Sequence, residues 1–247
     1  MYNLPVAKLD ASELIARTVG KRALPQPGQP PSAEARSAMT AMANYRTAVP
    51  KGVFFYRSHE EANSDWERWQ AAAMKRATNL SPRFAMTETT RPATWNDLVQ
   101  LAKQLNAAGA RYALIGGYAL ATHGYNRFSE DLDILVDPSA DNTPRWVSAL
   151  ATLPDQAAAE LAGESDLFQQ NGNYAIRIND EFTVDVMPAA CGHAWEELAP
   201  YITRVEIEGV PIQVLSLEGL LLTKEGLRDK DKADAAVIRR ALGRHDS

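Results

Sequence analysis

Apolar positions recur with two different periods in the second part of this chain, and the two periods separate predicted helices from predicted strands. After Thr94 they recur every three to four residues, which predicts a helix that ends near Gly109. Short apolar runs rich in β-branched residues predict strands at 112–115, 131–136, 174–178, 182–187, 203–207 and 211–215. Further helices are predicted to begin at Asn142, Ser216, and Asp229 or Asp231. Helices that alternate with a mixed sheet predict an α/β (α+β) domain, not a doubly wound one.

The first 85 residues follow a different pattern. Residues 20–50 are rich in proline and small residues, so they are predicted to form a linker or an extended arm. The apolar run 53–56 is predicted as a strand or an anchoring segment, and Ser58 opens a capping box for a helix to about residue 77. Trp66 and Trp69 share one face of that helix. They are expected to pack on the rest of the chain, or else to contact a partner protein or stacked bases.

Two carboxylates open the strand that follows the glycine pair Gly116-Gly117. Side chains alternate along a strand, so Asp131 and Asp133 share one face. Two acids at this spacing repel each other unless a cation lies between them, and hard oxygen ligands suit Mg²⁺ or Mn²⁺. Asp185 is the best candidate for a third ligand, because an ionised carboxylate inside an apolar strand is costly unless it is paired or metal-bound.

The glycine pair lies where a strand runs into a short predicted helix. Its backbone N–H groups are able to hold a phosphate. Taken singly, a glycine pair marks any tight turn, and two aspartates at a strand start are often a polar loop edge. Their combination and order favour phosphoryl or nucleotidyl transfer.

These residues resemble the DNA polymerase β-type nucleotidyltransferase superfamily, in its minimal bacterial branch associated with toxin–antitoxin pairs. The matching text is Leu114-Ile115-Gly116-Gly117-Tyr118-Ala119, His123-Gly124 and Arg127-Phe128-Ser129-Glu130-Asp131-Leu132-Asp133-Ile134-Leu135-Val136. Asp185 fits the third acid of the family, and the resemblance covers about residues 95–243. Gly117 stands where many members have serine, and Ser129 stands where threonine is more usual.

The resemblance implies a metal-dependent nucleotidyltransferase that moves a nucleoside monophosphate from a nucleoside triphosphate to an acceptor hydroxyl. The phosphates of the nucleoside triphosphate, such as ATP, would lie against Gly116 and Gly117. Mg²⁺ or Mn²⁺ would bridge these phosphates to Asp131 and Asp133. Asp185 would help to bind a second metal and would orient or deprotonate the acceptor. A tRNA end, a protein hydroxyl and a small molecule all stay open as acceptors.

Three further residues are expected to bind the nucleotide. Arg127 lies just before the acids and would neutralise them or bind phosphate, and Ser129 keeps the family's hydroxyl. Lys224 either contacts the triphosphate or is a half-buried lysine whose ammonium reaches water. Arg228 is expected to be a solvated helix-end charge or to pair with Asp231 or Asp234.

Composition narrows the class of protein. The 247 residues can bury a substantial core, and no apolar run reaches the roughly 18–20 residues needed to cross a bilayer. The first ten residues do not form a secretory signal, and a single cysteine, Cys191, fits a reducing compartment, so a cytoplasmic protein without membrane contact is expected. The net charge of −5 divides into +5 for residues 1–85 and −10 for residues 86–247. An acidic second part slightly disfavours long RNA as a ligand.

The charge difference predicts a basic N-terminal regulatory segment (1–85) and a nucleotidyltransferase domain (86–247). The block from Pro50 to Trp69 is similar to small antitoxin-like proteins encoded beside such transferases, and Met86 stands where a separate transferase could begin. The hypothesis is a fusion in which residues 1–85 dock on the acidic part, within the chain or between chains, and inhibit a toxin-like enzyme. The alternative is a weakly active or inactive module that binds a partner protein or nucleic acid through its N-terminal arm.

Overall fold

The computed structural model describes residues 28–77, 89–125, 128–168, 172–224 and 229–245. Its α-helices are α1 (Ala33–Met42), α2 (His59–Ala77), α3 (Trp95–Ala107), α4 (Gly116–Thr122), α5 (Thr143–Leu150), α6 (Trp195–Leu198), α7 (Leu217–Leu222) and α8 (Asp229–His245). Its strands are β1 (Gly52–Tyr56), β2 (Tyr112–Ile115), β3 (Asp131–Val136), β4 (Ala175–Asn179), β5 (Thr183–Met187), β6 (Ala189–Ala190), β7 (His193–Ala194), β8 (Ile202–Ile207) and β9 (Val210–Leu215). Short 3₁₀ turns cover Ala157–Leu161 and Ala199–Tyr201.

Seven strands form one mixed sheet in the order β1-β4-β5-β3-β2-β9-β8. The pairs β3/β5 and β2/β9 are parallel, and the remaining neighbours in the sheet are antiparallel. Two short strands, β6 and β7, form a separate hairpin. The predicted fold class, a mixed sheet flanked by helices, is confirmed, and the strand bounds agree with the predicted ones to within one residue.

Helix α3 covers one side of the sheet and begins with a complete capping box. The Thr94 side chain accepts from the Asp97 backbone N–H, and the Asp97 carboxylate accepts from the Thr94 N–H. These bonds satisfy helix donors that otherwise lack partners. The predicted apolar stripe of α3 is buried at Trp95, Leu98, Leu101, Ala102 and Leu105. It packs in the same core as the apolar residues of β2, β3 and β5.

The N-terminal residues contribute to this sheet. Strand β1 pairs antiparallel with β4 over five residue pairs and forms one edge of the sheet. The apolar run 53–56 is therefore a strand of the same sheet that carries the acids, although the sequence assigns it to the predicted regulatory segment. The sheet thus extends across the predicted boundary between residues 85 and 86, and residues 78–88 lie outside the described part.

The predicted linker over residues 20–50 is wrong for part of its length, because α1 occupies Ala33–Met42. Ser32 caps the helix by accepting from the Ala35 backbone N–H. Met39 packs on the main core, and the indole N–H of Trp95 lies 3.3 Å from its sulfur. The prediction missed this helix because the neighbouring residues are rich in proline and because the helix is stabilised by a tertiary contact. Within the described residues, none of the helices has the length and apolar character needed to span a bilayer.

Candidate active site

The three predicted acids converge on one face of the sheet. Asp131 and Asp133 project from the same side of β3, and the parallel register of β3 with β5 places Asp185 opposite Asp133. One carboxylate oxygen of each acid lies within 4.8 Å of an oxygen of the other two. Asp185 is buried, whereas Asp131 and Asp133 are half-buried. We call these residues the acid triad. Its donor set, hard carboxylate oxygens that repel one another at this separation, fits a Mg²⁺- or Mn²⁺-sized ion.

Gly116 lies directly against the acid triad. Its φ of +69° is in the left-handed region, and an added Cβ would lie 1.9 Å from Oδ2 of Asp133. Only glycine satisfies both conditions, because every L side chain would be strained and would collide with the carboxylate. The register explains this approach, since Ile115 of β2 lies opposite Asp133. The predicted glycine turn and the predicted acids are therefore neighbours.

Ser129 acts on the triad through its hydroxyl, which donates to Oδ1 of Asp131 at 2.8 Å. This buried contact fixes one oxygen of Asp131 and leaves the carboxylate able to accept further ligands. The predicted contact of Ser129 with a nucleotide stays a prediction. Arg127 lies outside the described residues, and so does Arg228.

Lys224 is held in a buried ion-pair cluster between the end of α7 and α8. Its Nζ lies 3.3 Å from Oδ1 of Asp231 and 3.4 Å from Oδ2 of Asp234, and all three side chains are at most 10% exposed. Lys224 therefore forms ion pairs with two aspartates within the protein. The predicted contact with a triphosphate is a separate matter and stays a prediction.

Arg177 was not identified from the sequence, yet it contacts an acid of the triad directly. Its Nε and Nη2 donate to the two oxygens of Asp185, each at 2.7 Å. Burial would lower the pKa of this guanidinium, but the charge of Asp185 and the two hydrogen bonds outweigh burial and raise its pKa. The signal was present, because Arg177 is a lone charge between Ile176 and Ile178 in an apolar strand, as Asp185 is in its own strand.

Residues of the N-terminal segment help to line a cavity beside the acid triad. A small cavity of about 40 Å³ beside Asp131 and Arg177 is lined in addition by Thr47, Val49, Trp66, Thr90, Glu130 and Thr183. The hydroxyl of Tyr45 donates to the carboxylate of Glu130. Burial and this bond raise the pKa of Tyr45 to about 12. Trp69 is buried and packs in a T-shaped arrangement with Phe54, with the ring centroids 5.0 Å apart, whereas Trp66 is 48% exposed. The two tryptophans therefore have different environments.

We call residues 45–56 the anchor segment, because ion pairs and backbone bonds fix it beside the site. Arg46 contacts Glu181 at 2.8 Å, and Lys51 contacts Asp155 at 2.5 Å and Glu181 at 3.3 Å. The backbone N–H of Thr47 donates to the Thr90 carbonyl at 2.8 Å, and the Thr90 N–H donates to the Val49 carbonyl at 2.9 Å. Basic side chains of the N-terminal part thus meet acids of the second part.

Comparison with known proteins agrees with the chemistry of the site. The family model for aminoglycoside-2''-adenylyltransferases matches residues 97–238, which include the acid triad and both glycines and exclude the anchor segment. No curated protein matches the chain. A candidate nucleotidyltransferase from Thermotoga maritima is 18% identical over 60% of this chain and 92% of its own, with a TM-score of 0.41. An antigenic nucleotidyltransferase-like protein from Paracoccidioides brasiliensis is 19% identical over 60% of this chain and 77% of its own, with a TM-score of 0.37.

At these TM-scores the two structures say nothing about the activity of this chain. The family match is different, because it spans more than half of the sequence and contains every member of the acid triad. The chain belongs to the aminoglycoside-2''-adenylyltransferase family and is a nucleotidyltransferase by family.

Proposed function

We propose that this protein transfers a nucleoside monophosphate from a nucleoside triphosphate to an acceptor hydroxyl and releases pyrophosphate. The acceptor oxygen forms a bond to the α-phosphorus while the bond from that phosphorus to the bridging oxygen breaks, and the acceptor proton passes to a base. The observation that carries this proposal is the convergence of the acid triad, with its oxygens within 4.8 Å, beside the glycine turn at Gly116. Such a reaction depends mainly on positioning and charge.

Each residue has a defined part in this proposal. Asp131, Asp133 and Asp185 would hold Mg²⁺ or Mn²⁺, which, when bound, offsets the charge on the triphosphate and on the leaving pyrophosphate. Ser129 orients Asp131. Gly116 and Gly117 are proposed to present backbone N–H groups to the phosphates, because neither residue has a side chain of its own. Arg127 and Lys224 are proposed as further phosphate contacts, and Asp185 as the group that orients or deprotonates the acceptor.

For the donor and the acceptor we propose ATP and a small, positively charged molecule that carries hydroxyls. The family's name describes transfer of an adenylyl group to the 2''-position of an aminoglycoside. Residues 86–247 have a net charge of −10, and Glu130 lines the cavity beside Asp131. A negative surface attracts a cationic acceptor and repels nucleic acid. A tRNA end and a protein hydroxyl are the competing acceptors.

The experiment incubates the full chain with each of the four α-³²P-labelled nucleoside triphosphates and three acceptor pools. The pools are aminoglycosides, total tRNA and cell-extract protein, each with Mg²⁺, with Mn²⁺ or with EDTA. We expect label from ATP on an aminoglycoside, only with metal, and not with Asp131→Ala or Asp133→Ala. Label on tRNA or on protein would replace the proposed acceptor, and the absence of label in every pool would refute transfer.

A toxin-like role for the transferase is a further part of the proposal. If it is correct, expression of the chain slows bacterial growth, the Asp131→Ala variant does not, and removal of the inhibitory arm increases the effect. Deletion of residues 1–85 is a poor test, because it also removes β1 from the sheet edge. Deletion of residues 1–44 keeps the anchor segment. Equal growth with the full chain, this truncation and Asp131→Ala would reject the role.

A second candidate function is a regulatory module of this fold with weak or no catalysis. It is favoured by the fact that Arg177 occupies both oxygens of Asp185, and by the small volume of the cavity beside Asp131. Calorimetry with Mg²⁺-ATP separates the two candidates. Heat that disappears in Asp131→Ala and Asp133→Ala supports the enzyme. No heat from any of the four nucleotides supports the module.

A further inference from the structure

The positively charged guanidinium of Arg177 balances the negative charge of Asp185, one of the three acids of the triad. The guanidinium binds Asp185 in a fork, with Nε on Oδ1 and Nη2 on Oδ2, both at 2.7 Å. The side chains of Arg177 and Asp185 are only 14% and 12% exposed. Bidentate pairs of this kind fix the orientation of a carboxylate as well as its charge.

The position of Arg177 is itself fixed by the N-terminal part of the chain. Phe54 of β1 lies opposite Arg177 of β4 in the antiparallel register, and Tyr56 lies two residues further along the same face. Tyr56 is 2% exposed, and the centroid of its ring lies 5.8 Å from Cζ of Arg177. A ring at this distance attracts the guanidinium and occupies the space on that side.

We propose that Arg177 is a positioning residue that orients Asp185 and sets the affinity of the acid triad for a divalent cation. This inference rests on the proposed function. Each carboxylate oxygen of Asp185 retains accepting capacity after the arginine bond, so a cation and Arg177 can contact the same carboxylate. The two cations repel each other at this separation, and Arg177 therefore weakens binding of the ion that the triad would hold.

According to this proposal, the N-terminal part of the chain affects the cation affinity of the acid triad. The family match begins at residue 97, so β1 and Tyr56 lie outside it. In this proposal they act on the triad through Arg177, which Tyr56 contacts through its ring. Replacement of Tyr56 by leucine removes the ring and keeps a strand side chain of moderate size. Tyr56→Leu is therefore expected to move cation affinity in the same direction as loss of Arg177, by a smaller factor.

The test is a calorimetric titration of metal-free full chain with Mn²⁺. Arg177→Met, which keeps the aliphatic bulk and removes the charge, is expected to bind Mn²⁺ at least about tenfold tighter than the wild type. The control is Arg91→Met, because Arg91 makes a similar fork with Asp97 and also lies on a ring. Its Mn²⁺ affinity should stay within about twofold of the wild type. Equal affinity in Arg177→Met and wild type would overturn the proposal.

Thermal unfolding gives a second readout that does not depend on activity. Metal-free Arg177→Met should melt below the wild type, because Asp185 is left buried without its cation, and Mn²⁺ should raise its melting temperature more than it raises that of the wild type. If this variant does not fold, Arg177→Lys carries the test. Lysine keeps the charge and loses the fork, so Mn²⁺ affinity should stay within about threefold while kcat falls and KM changes little. An unchanged kcat would contradict the positioning role.

The outcomes separate this inference from the function on which it rests. If the wild type binds Mn²⁺ and Arg177→Met binds it equally well, only the role of Arg177 is rejected. If neither the wild type nor the variants bind Mn²⁺, the proposed metal-dependent function is rejected together with the inference.

Discussion

Two partly buried arginine–aspartate pairs in this protein are both bidentate and lie in different regions. At the start of α3, Arg91 donates to both oxygens of Asp97 at 2.6 and 2.9 Å. At the acid triad, Arg177 donates to both oxygens of Asp185 at 2.7 Å. Each guanidinium also lies over a ring, at 5.5 Å from the centroid of Phe182 for Arg91 and at 5.8 Å from that of Tyr56 for Arg177.

The difference lies in what else each carboxylate contacts. Asp97 also accepts from the backbone N–H and the hydroxyl of Thr94, at 2.8 and 2.7 Å, so its accepting capacity is used in closing the helix cap. Asp185 instead faces Asp131 and Asp133 on the neighbouring strand. The same ionic contact thus completes a structural cap in one region and leaves a carboxylate able to take a metal ion in the other.

Replacing each aspartate by asparagine tests this comparison with the largest expected effect. Asp185→Asn keeps the shape of the side chain and removes a charge from the triad, so nucleotidyl transfer should fall by about 1000-fold, or about 4 kcal/mol of transition-state stabilisation. Asp97→Asn, assayed at a temperature where it stays folded, should keep kcat within a few fold. Steady-state kinetics with labelled ATP measure both. Similar losses in the two variants would show that the regions do not differ in this way.

Gly116→Ala tests whether the site region depends on the close approach of the glycine turn. The new Cβ would lie 1.9 Å from Oδ2 of Asp133 at a φ of +69°, so either the turn or the carboxylate must move. We expect a loss of transfer activity of about 100-fold and a loss of stability of about 1–3 kcal/mol from backbone strain.

Gly163→Ala is the matched control for Gly116→Ala. Gly163 has a φ of +93°, and among the described residues no atom lies within 4 Å of an added Cβ, so Gly163→Ala carries the backbone strain without the collision. Its activity should therefore be unchanged although its stability falls. Kinetics and urea unfolding of the two variants give the comparison. Wild-type activity in Gly116→Ala would mean that the contact with Asp133 is not needed.

Stability measurements on Asp97 sharpen the structural side of the comparison. Asp97→Asn loses a charge-assisted fork to Arg91 and weakens the cap of α3, so the free energy of unfolding should fall by about 2 kcal/mol. Urea denaturation followed by far-UV circular dichroism measures this loss. The exposed Asp141, which pairs with Arg111 on the surface, provides the control. Asp141→Asn is expected to reduce stability much less than Asp97→Asn does, because solvent screens an exposed pair. Equal losses at the two positions would remove the distinction between the buried cap and a surface pair.

The sequence predicts the convergence of the three acids better than it predicts the residues around them. Alternation along one strand is enough to place Asp131 and Asp133 on one face, and a charge in an apolar strand marks Asp185. The pairing of β1 with β4 joins residues more than 100 positions apart, and a local pattern does not specify which strands become neighbours. The same limit hid the helix Ala33–Met42, whose contact with Trp95 is tertiary.

Arg177 shows that a usable signal can still be missed. A lone arginine between isoleucines carries the same physical cost as a lone aspartate between valines, and the two prove to be partners across β4 and β5. Each of these two strands carries one charged residue, and the strand register places the two charged residues opposite each other. Weighing every isolated charge in an apolar strand, whatever its sign, would have identified both.

Glu181 lies 3.5 Å from Nε of Arg91 and also pairs with Arg46 and Lys51 of the anchor segment. Acidification should weaken these contacts, with a smaller effect on stability than the changes above. Burial would raise the pKa of Glu181, but hydrogen bonds and charges from Arg46 and Lys51 outweigh it and lower the pKa below the ordinary value. A carboxylate with a lowered pKa in the folded state contributes stability above its unfolded pKa and loses that contribution as the pH falls through the folded value. Glu181→Gln should therefore be about 1 kcal/mol less stable than wild type at pH 7, and the difference should shrink below about pH 4.

Urea unfolding at pH 7, 5 and 3.5 measures this change, with the exposed Glu164→Gln as a control that should show no comparable difference. A Glu181→Gln difference that does not depend on pH would mean that the anchor segment is held by packing and backbone bonds, and not by these charges.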